Sequence, residues 1–508
     1  MKDIIVRRTS IAITDYELGE CPRLESYFKL FNITTHSYYY KGIYYLEEDK
    51  ILLLPRGIDV PFIEKMFRKQ AIYDDSYNEY DNIDKALLRI MPRDNIQKES
   101  LRFLLGKGEY SYTNYHSQLS VNLNTGKGKT FISIGALIYM QIKTIIITTQ
   151  LGWLKQWKER ILQYSNIRAD EIYIVSGHLG IEKVINNKID VSKIKIFLVT
   201  HSTIANYANE TSWFNITEFF KALKVGMKIY DEAHLAFDNI ISIDLFTNVF
   251  RTIYLTATPG RSDIYENRVY KLYMKNIPFI DLFDEKEDIR TEYLSIHYNS
   301  LPLATDISDC KNKYGLDRNK YCSYATSNER FYMLFTLLLN KFIFPCEGKV
   351  LIYIGTLEGI DKVYNWLLTN YPHLYNDIGI YTSNVKGNKR EQLEKKIILS
   401  TTKSCGAAVD IKGLKITIQL AEPFKSHITT RQALGRTRDK NTLYIDVIDE
   451  GFAILKKYYA YKLPIYYKYA TYCNSTIIRN DELVEYYDQY KDMNRPRYII
   501  QYVGNQEG

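Results

Sequence analysis

The stretch Asn124-Thr125-Gly126-Lys127-Gly128-Lys129-Thr130 is the most informative local sequence in the chain. It follows a strand-like run, Leu119 to Leu123, and precedes an apolar helical run, Phe131 to Met140. Glycines between a strand and a helix let backbone N–H groups close around a phosphate, and the helix N-terminus adds positive potential. The stretch therefore predicts a phosphate-binding loop made of Thr125, Gly126, Lys127, Gly128, Lys129 and Thr130.

The chemistry expected of this loop is the binding of a phosphorylated ligand together with a metal ion. Lys129 is predicted to reach the β- and γ-phosphates, and the Thr130 hydroxyl is predicted to bind Mg²⁺. Leu123 stands where the complete pattern has its first glycine, so a simple glycine-rich turn is the alternative.

A second stretch, Lys228-Ile229-Tyr230-Asp231-Glu232-Ala233-His234, lies about 100 residues later. It is an apolar strand that ends in two adjacent carboxylates. This arrangement suits Mg²⁺ binding by Asp231 and polarisation of an attacking water by Glu232. The alternative is an acidic loop after a strand, which is less favoured at this distance after a lysine loop.

Two further stretches follow, Leu255-Thr256-Ala257-Thr258-Pro259 at a strand end and Gln432-Ala433-Leu434-Gly435-Arg436-Thr437-Arg438 near the end of the chain. Arginines so far from the lysine loop are explained if a second domain closes on the nucleotide of the first. There they would neutralise charge in the phosphoryl-transfer transition state. Taken alone, the arginines could also form a solvated basic turn.

The order of apolar segments predicts an α/β fold with parallel sheets. Runs rich in β-branched residues, such as Thr144 to Ile147 and Ile196 to Val199, are typical of strands buried on both faces. A second alternating set begins at Lys349 to Ile354 and ends near Leu443 to Val447. We expect two tandem α/β domains after a small α/β N-terminal domain, with boundaries at residues 1–85, 86–295, 296–455 and, for a C-terminal extension, 456–508.

The first 85 residues show shorter segments. Strands are predicted at Ile4 to Val6 and Ile11 to Ile13, a helix at Leu24 to Phe31, and a hairpin between Tyr38 to Leu46 and Ile51 to Leu54. Pro55-Arg56-Gly57 is expected to end the last strand. Arg7, Arg8, Arg56 and Arg68 could form a basic patch for duplex or junction binding, although this region is slightly acidic.

Composition limits the class of protein. The chain has 508 residues, a net charge of +8 and 46 tyrosines. The mild basic excess lies mostly after Lys386 and weakly favours contact with a polyanion. The six cysteines include no CxxC pair, and the sequence lacks a long apolar run, so we expect reduced thiols, no metal-binding cluster and no membrane span. The tyrosines are spread throughout, which favours a compositional bias over a base-stacking platform.

In this order the motifs resemble superfamily 2 helicases with the DEAH-box lettering, over about residues 90 to 450. The resemblance implies two RecA-like domains that hydrolyse ATP with Mg²⁺. It implies roles for further residues: adenine recognition by Gln97, nucleic-acid contacts by Gln156, Trp157, Thr200, Thr203, Gly355 and Thr402, nucleotide contacts by Asp410 and Arg436, catalytic contacts by Gln432, Arg436 and Arg438, and coupling by His234, Thr256 and Thr258.

Three features depart from the family pattern. Ala408 stands where motif V usually has glycine, and Arg438 follows Arg436 by two residues where the family uses three. Which of the two arginines acts as the finger is therefore left open. The usual Pro-Thr of motif Ia is replaced by the Thr148-Thr149-Gln150 region.

The layout is most similar to the branch-migration and DNA-repair helicases of phages. Those proteins also carry a small α/β module before the motor, and the Leu54-Pro55-Arg56-Gly57 element is similar to one that recurs in them. The resemblance implies branched, forked or duplex DNA as substrate, single-strand-binding or recombination proteins as partners, and the host cytoplasm as location. The alternatives are an RNA helicase or RNP remodeller, and a duplex translocase that unwinds nothing.

Overall fold

The computed structural model describes residues 2–32, 36–124, 126–256, 264–283, 291–312, 315–382, 389–405, 411–434 and 441–490. The chain divides into two compact units, Met1–Asp284 and Glu285–Gly508. The second unit begins at Glu285, eleven residues before the predicted start of the second domain at residue 296, and the predicted boundary at 85/86 lies inside the first unit. Among the described residues, no helix is both long enough and apolar enough to cross a membrane.

The first unit opens with a small α/β module. Its elements are β1 (Ile4–Val6), β2 (Ser10–Ile13), α1 (Pro22–Glu25), β3 (Lys29–Asn32), β4 (Ser37–Tyr40), β5 (Tyr44–Leu46), β6 (Ile51–Pro55), α2 (Val60–Phe67) and β7 (Ala71–Tyr73). Five of the strands form a sheet in the order β5-β6-β2-β1-β7. β1 and β7 are parallel, and β2 is antiparallel to β1 and β6. The strands predicted at Ile4 to Val6 and Ile11 to Ile13 are confirmed.

One predicted helix of the module is wrong. Only Pro22–Glu25 is helical, and Lys29–Asn32 instead forms a two-stranded hairpin with Ser37–Tyr40. Leu30 pairs with Tyr39 and Phe31 with Tyr38, whose rings lie 5.1 Å apart. Cross-strand aromatic pairs of this kind favour the extended chain over the helix. For the same reason, the run Tyr38 to Leu46 is divided between two strands, and only its end pairs with β6.

The module is followed in the same unit by a parallel sheet. Its elements are α3 (Asn95–Leu104), β8 (Gln118–Asn122), α4 (Lys129–Met140), β9 (Thr144–Thr148), α5 (Leu151–Tyr164), β10 (Ile172–Ile174), α6 (Gly177–Ile185), β11 (Ile196–Thr200), α7 (His201–Glu210), α8 (Trp213–Leu223), β12 (Met227–Tyr230), α9 (Phe237–Phe246), β13 (Arg251–Thr256), α10 (Ile264–Met274) and β14 (Phe279–Asp281). The strand order is β10-β11-β9-β12-β13-β8-β14, and every pairing is parallel. This is the RecA-like arrangement expected from buried, β-branched strands.

The module and the parallel sheet share one hydrophobic core. Ile11 and Leu54 of the module belong to the same buried cluster as Ile145 and Val269. Gly42 approaches α10 so closely that a Cβ atom there would lie 2.8 Å from Val269 Cγ1. The acidic stretch after β7, up to about residue 84, also contacts the sheet, because Lys143 Nζ donates to Asp81 Oδ2 at 2.8 Å. The module is therefore built into the first unit and is not a separately packed domain.

The second unit contains another parallel sheet. Its elements are β15 (Thr291–Tyr298), α11 (Ala304–Asp309), β16 (Lys311–Asn312), β17 (Gly315–Leu316), α12 (Arg318–Ala325), α13 (Glu329–Leu338), β18 (Lys349–Ile354), α14 (Leu357–Asn370), β19 (Ile378–Tyr381), α15 (Lys389–Gln392), β20 (Ile397–Ser400), α16 (Thr402–Cys405), β21 (Leu414–Ala421), α17 (His427–Leu434), β22 (Thr442–Asp449), α18 (Ala453–Tyr469), β23 (Ala470–Ile477) and α19 (Asn480–Tyr490). The order is β19-β20-β18-β21-β22-β15-β23, with parallel pairings.

The predicted C-terminal extension is part of this second sheet. β23 pairs with β15 along its length, and α18 crosses the predicted boundary at 455/456. The predicted fold of two α/β units with parallel sheets is confirmed. Within the residues of the predicted C-terminal extension, β23 forms the last strand of the second sheet.

Each unit buries an aspartate among tyrosines and a lysine. In the first unit, Lys228 Nζ donates to Asp244 Oδ1 at 2.5 Å and Tyr230 donates to the same oxygen at 2.8 Å. In the second unit, Lys462 Nζ donates to Asp446 Oδ2 at 2.6 Å and Tyr466 donates at 2.9 Å. Some of the many tyrosines are therefore buried in the two units, where their hydroxyls donate hydrogen bonds to an aspartate.

We expect Asp244→Ala to lower the free energy of unfolding of the first unit by about 3–5 kcal/mol, because it leaves the Lys228 ammonium buried without its counter-charge. Asp238→Ala, which removes a half-exposed partner of Lys41 from the same helix, is the matched control and should cost about 1 kcal/mol or less. Urea denaturation of both variants measures the difference. Equal losses would contradict the assigned role of Asp244.

Candidate functional site

The glycine loop connects β8 to α4 at the carboxyl edge of the first parallel sheet. Gly126 and Gly128 have backbone φ angles of +86° and +92°, a region that side chains other than glycine's rarely adopt. A Cβ atom on Gly128 would also lie 2.3 Å from Gln97 Nε2. α4 begins at Lys129, and among the described residues no side chain caps its N-terminus. Thr125 lies outside the described residues.

Gln97 lies directly behind this loop and is almost fully buried. Its Nε2 donates to the Lys127 carbonyl at 3.2 Å, and its Oε1 accepts from Arg93 N at 3.0 Å. Asp94 caps α3 by accepting from Gln97 N, and Arg93 Nη2 donates to the Gly126 carbonyl at 2.8 Å. Gln97 therefore shapes the loop in addition to its predicted role in adenine recognition.

Sequence reasoning missed Arg93 and Asp94. The spacing of Asp94 and Gln97 follows the pattern of a helix capping box, which could have placed the start of α3. No local sequence pattern indicates the contact of Arg93 with the loop, since that contact depends on where α3 packs.

The charged centre of the site joins the ends of two strands. Lys129 Nζ donates to Glu232 Oε1 at 2.9 Å, and the two side chains are 9% and 8% exposed. Asp231 and Glu232 come directly after β12, and Asp231 N donates to the carbonyl of Ile147 on the neighbouring strand. Glu232 has a φ angle of +50°, an uncommon conformation for a residue other than glycine. The parallel sheet thus brings together two residues that stand 103 positions apart.

The pKa of Asp231 is raised to about 6. Burial is the main cause and the charge of Glu232 adds to it, whereas Lys129 and a hydrogen bond from Trp157 lower the pKa. Because the ionised form is disfavoured in the folded chain, this carboxyl gains a proton as the pH falls through about 6, instead of through its ordinary value near 4.

Trp157 is the donor of that hydrogen bond. Its indole Nε1 donates to Asp231 Oδ2 at 2.8 Å, and its side chain is 2% exposed. A ring buried in this way holds the carboxylate in place, and the predicted contact of Trp157 with a nucleic-acid strand stays a prediction. Its neighbour Gln156 is exposed on α5, where its predicted strand contact stays a prediction.

The predicted coupling residues His234 and Thr256 lie together. His234 Nδ1 is 3.0 Å from Thr256 Oγ1 and 3.5 Å from Glu232 Oε2, so the histidine connects the carboxylate to the end of β13. Both side chains are buried. Thr258 lies outside the described residues.

Thr200 and Thr203 form the start of α7. The Thr200 side chain accepts a hydrogen bond from Thr203 N at 3.2 Å, and the two hydroxyls are 2.8 Å apart. Both side chains are buried and engaged in capping this helix. Their predicted contacts with a strand stay predictions.

In the second unit, Thr402 N donates to Glu422 Oε2 at 2.7 Å and its hydroxyl donates to the same carboxylate. Burial raises the pKa of Glu422 to about 7, although the Thr402 hydrogen bonds oppose the shift. Gly355 N donates to the Ala421 carbonyl at 3.2 Å. The sequence offered no signal for Glu422, which follows an apolar strand. Ala408, Asp410, Arg436, Arg438 and the side chain of Gln432 lie outside the described residues.

We expect Trp157→Phe to raise the pKa of Asp231 further, because the substitution removes a donor that favours the ionised carboxylate. Mg²⁺-dependent ATP binding, measured by calorimetry from acid to neutral pH, should then be lost at a pH up to about one unit higher than in the unaltered chain.

The control for this variant is Trp153→Phe on the same helix. Trp153 is buried too, but among the described residues its indole N–H has no hydrogen-bond partner. This variant should keep the original pH dependence. An equal shift in both variants would show that packing, and not the hydrogen bond to Asp231, causes the effect.

Several known proteins are similar to this chain in sequence. The family described as "Type III restriction enzyme, res subunit" matches residues 89–261, about a third of the chain. The DNA 3'-5' helicase XPB of Kineococcus radiotolerans is 22% identical over 330 residues, which are 62% of this chain and 53% of that protein. The chain therefore spans about half the length of this relative. Protein 161L of Invertebrate iridescent virus 6, named as a helicase, is 23% identical over 371 residues, 68% of this chain and 75% of the viral protein.

Among solved structures, the crystal structure of T4 UvsW matches with a TM-score of 0.36 and 15% identity, and the match covers 94% of this chain and 99% of that one. The chain thus combines two parallel sheets and a glycine loop with sequence similarity to the "Type III restriction enzyme, res subunit" family and to proteins named as helicases.

Proposed function

We propose that the protein is an ATP-driven motor that unwinds, anneals or branch-migrates DNA, and that it serves phage recombination, replication or repair in the host cytoplasm. The observation that carries this proposal is the buried pair of Lys129 and Glu232 beside the glycine loop. A lysine and a water-activating carboxylate at the edge of a parallel sheet are the parts that phosphoryl transfer requires.

The loop residues fit a nucleoside triphosphate with Mg²⁺. The positive φ angles of Gly126 and Gly128 bend the backbone before α4. No described side chain caps the N-terminus of this helix, and such a terminus suits an anion. Lys129 would hold the terminal phosphates, while Thr130 and Asp231 would hold the metal ion. When bound, ATP with Mg²⁺ supplies the phosphoryl group that is transferred to water.

Lys129 and Glu232 would act one after the other during hydrolysis. A γ-phosphate at Lys129 competes with the Glu232 carboxylate for the same ammonium group. Glu232 would then turn to the attacking water and accept its proton. His234, which lies 3.5 Å from Glu232 and 3.0 Å from Thr256, would transmit this change to the end of β13. Arg436 or Arg438 is proposed to offset the charge of the transition state, and Gln432 is a further proposed catalytic residue.

DNA is the proposed substrate because of the named relatives. The Kineococcus protein carries the name of a DNA 3'-5' helicase, and the Schizosaccharomyces pombe relative that of a DNA repair factor subunit. The exposed side chain of Gln156, together with Thr200, Thr203, Gly355 and Thr402, would contact the strand backbone. Single-strand-binding or recombination proteins are the proposed partners.

We expect Lys129→Ala and Glu232→Gln each to lower the rate of DNA-stimulated ATP hydrolysis by about 10²-fold or more, since one removes the phosphate ligand and the other the general base. Lys193→Ala, which changes an exposed lysine of the same unit, should leave the rate unchanged. A phosphate-release assay measures all three. Full activity in either site variant would refute the assignment of the site.

The choice of nucleic acid is tested by the stimulation of ATP hydrolysis. Single-stranded, duplex, forked and four-way DNA are compared with structured RNA of matched length. We expect forked or four-way DNA to stimulate most strongly. Stronger stimulation by RNA would instead establish an RNA helicase. Displacement of a triplex strand without separation of a forked duplex would establish a translocase that does not unwind.

A further inference from the structure

A second concave site lies in the first unit, where the N-terminal module meets the parallel sheet. We call it the Arg56 cavity; it has a volume of about 450 Å³, and its lining includes Arg7, Arg8, Arg56, Tyr73, Tyr115 and His116. Cavities of several hundred cubic ångströms are typical of small-ligand sites. The volume therefore admits a ligand larger than a single anion.

The Arg56 cavity lies away from the glycine loop. Its walls come from the carboxyl ends of β1, β6 and β7 and from the amino end of β8. The glycine loop follows the carboxyl end of β8. The two sites thus occupy opposite edges of the parallel sheet, and no residue of the candidate ATP site lines this cavity.

Arg56 is held firmly by its neighbours and is only partly neutralised by them, because the charge of Asp75 favours the protonated guanidinium but burial outweighs it. A Cβ atom on Gly57 would lie 1.7 Å from the Tyr273 carbonyl oxygen, so only glycine permits this packing, and Asn276 N donates to the Gly57 carbonyl. Within the described part of the chain, the Arg56 guanidinium forms no hydrogen bond or ion pair. Burial lowers the pKa of Arg56. A half-buried guanidinium without a partner is costly unless a ligand binds it.

The charges around Arg56 favour an anion. Among the described residues, the Arg7 side chain likewise forms no hydrogen bond or ion pair, although its charge acts on Asp74. Arg8 donates to the carbonyls of Asp75 and Phe250. The cavity also contains two carboxylates, Asp75 and Asp59, and Asp59 faces Lys275 at 3.5 Å.

Behind the cavity, Arg251 is 3% exposed and donates to the Thr113 carbonyl, while its Nε atom has no partner in the described chain. The charge of Arg8 and burial lower the pKa of Arg251 to about 10, and burial is the larger cause. A bound anion would offset this accumulation of positive charge.

Two tyrosine rings stand at the cavity with much of their surface exposed. Tyr73 is 60% exposed and Tyr115 is 90% exposed. Aromatic rings beside a basic groove are the usual partners of nucleic-acid bases, which stack on them without strong sequence preference. The guanidinium groups and the rings together match the two parts of a nucleotide unit.

We propose that the Arg56 cavity binds a nucleotide unit, with Arg56 and Arg7 contacting its phosphate and Tyr73 or Tyr115 stacking on its base. The phosphate comes either from a free mononucleotide or from the backbone of a strand. Guanidinium groups bind both through the same paired N–H donors. The site does not depend on the hydrolysis of ATP.

The test is calorimetric titration of the full chain without ATP, using three probes: dTMP, thymidine and the oligonucleotide (dT)8. We expect dTMP to bind and thymidine not to bind. Arg56→Gln should weaken the binding of dTMP about tenfold or more, because a charge-assisted contact is lost. Lys129→Ala should leave dTMP binding unchanged, which separates this site from the proposed ATP site.

Arg168→Gln is the matched control, since Arg168 is a 70% exposed arginine of the same unit that does not line the cavity. It should not alter any of the three titrations. If Arg56→Gln weakens only the oligonucleotide and dTMP does not bind, the phosphate belongs to a strand. If Arg56→Gln leaves both titrations unchanged, the proposal is overturned.

Thermal unfolding provides a second readout. Arg56→Gln should unfold at the same temperature as the unaltered chain or at a higher one, because it removes a half-buried charge that no hydrogen bond or ion pair of the described chain offsets. dTMP should raise the unfolding temperature of the unaltered chain only. Should Arg56→Gln fail to fold, Arg7→Gln replaces it in every titration with the same expected direction, and unchanged binding in that variant overturns the proposal.

Discussion

The candidate site depends on one constraint: parallel strands buried on both faces end together at a single edge of the sheet. β8, β13 and β12 are successive neighbours, so Lys129, Thr256 and Asp231 emerge at that edge from distant parts of the chain. Backbone hydrogen bonds between neighbouring strands fix the positions of these residues along the sheet edge. Leu123 N donates to the Thr256 carbonyl, and Ala233 N donates to the Leu255 carbonyl. The chemistry therefore rests on main-chain geometry before any side chain is considered.

Within these parallel sheets, the buried charged side chains restrict which side-chain arrangements are stable. Burying an ion pair stabilises a fold little, but removing one partner is severely destabilising. Each unit has such a pair in its interior, Lys228 with Asp244 in the first and Lys462 with Asp446 in the second. In both pairs a tyrosine hydroxyl donates a further hydrogen bond to the aspartate. The pair of Lys129 with Glu232 differs because it lies at the sheet edge, where a ligand phosphate can replace the carboxylate.

Much of the fold could be predicted because its signals are local. Apolar β-branched runs and the glycine loop predicted both parallel sheets. The sequence was least informative where pairing partners decide the structure. Lys29–Asn32 is a strand because it pairs with Ser37–Tyr40, and β23 pairs with β15, which lies far earlier in the sequence. In the site, sequence spacing does not reveal that the Trp157 indole is buried against Asp231. Arg93 and Glu422 act through tertiary contacts that no pattern indicates.

The common core of the N-terminal module and the first parallel sheet affects how the role of the module can be studied. Residues such as Ile11 and Leu54 cover apolar surface that includes Val269. A chain shortened to begin at residue 86 would expose this surface to water and would tend to aggregate. Its loss of DNA binding would report misfolding as readily as a missing contact. The module is also unsuited to transplantation onto another motor, so single substitutions on its surface are the informative approach.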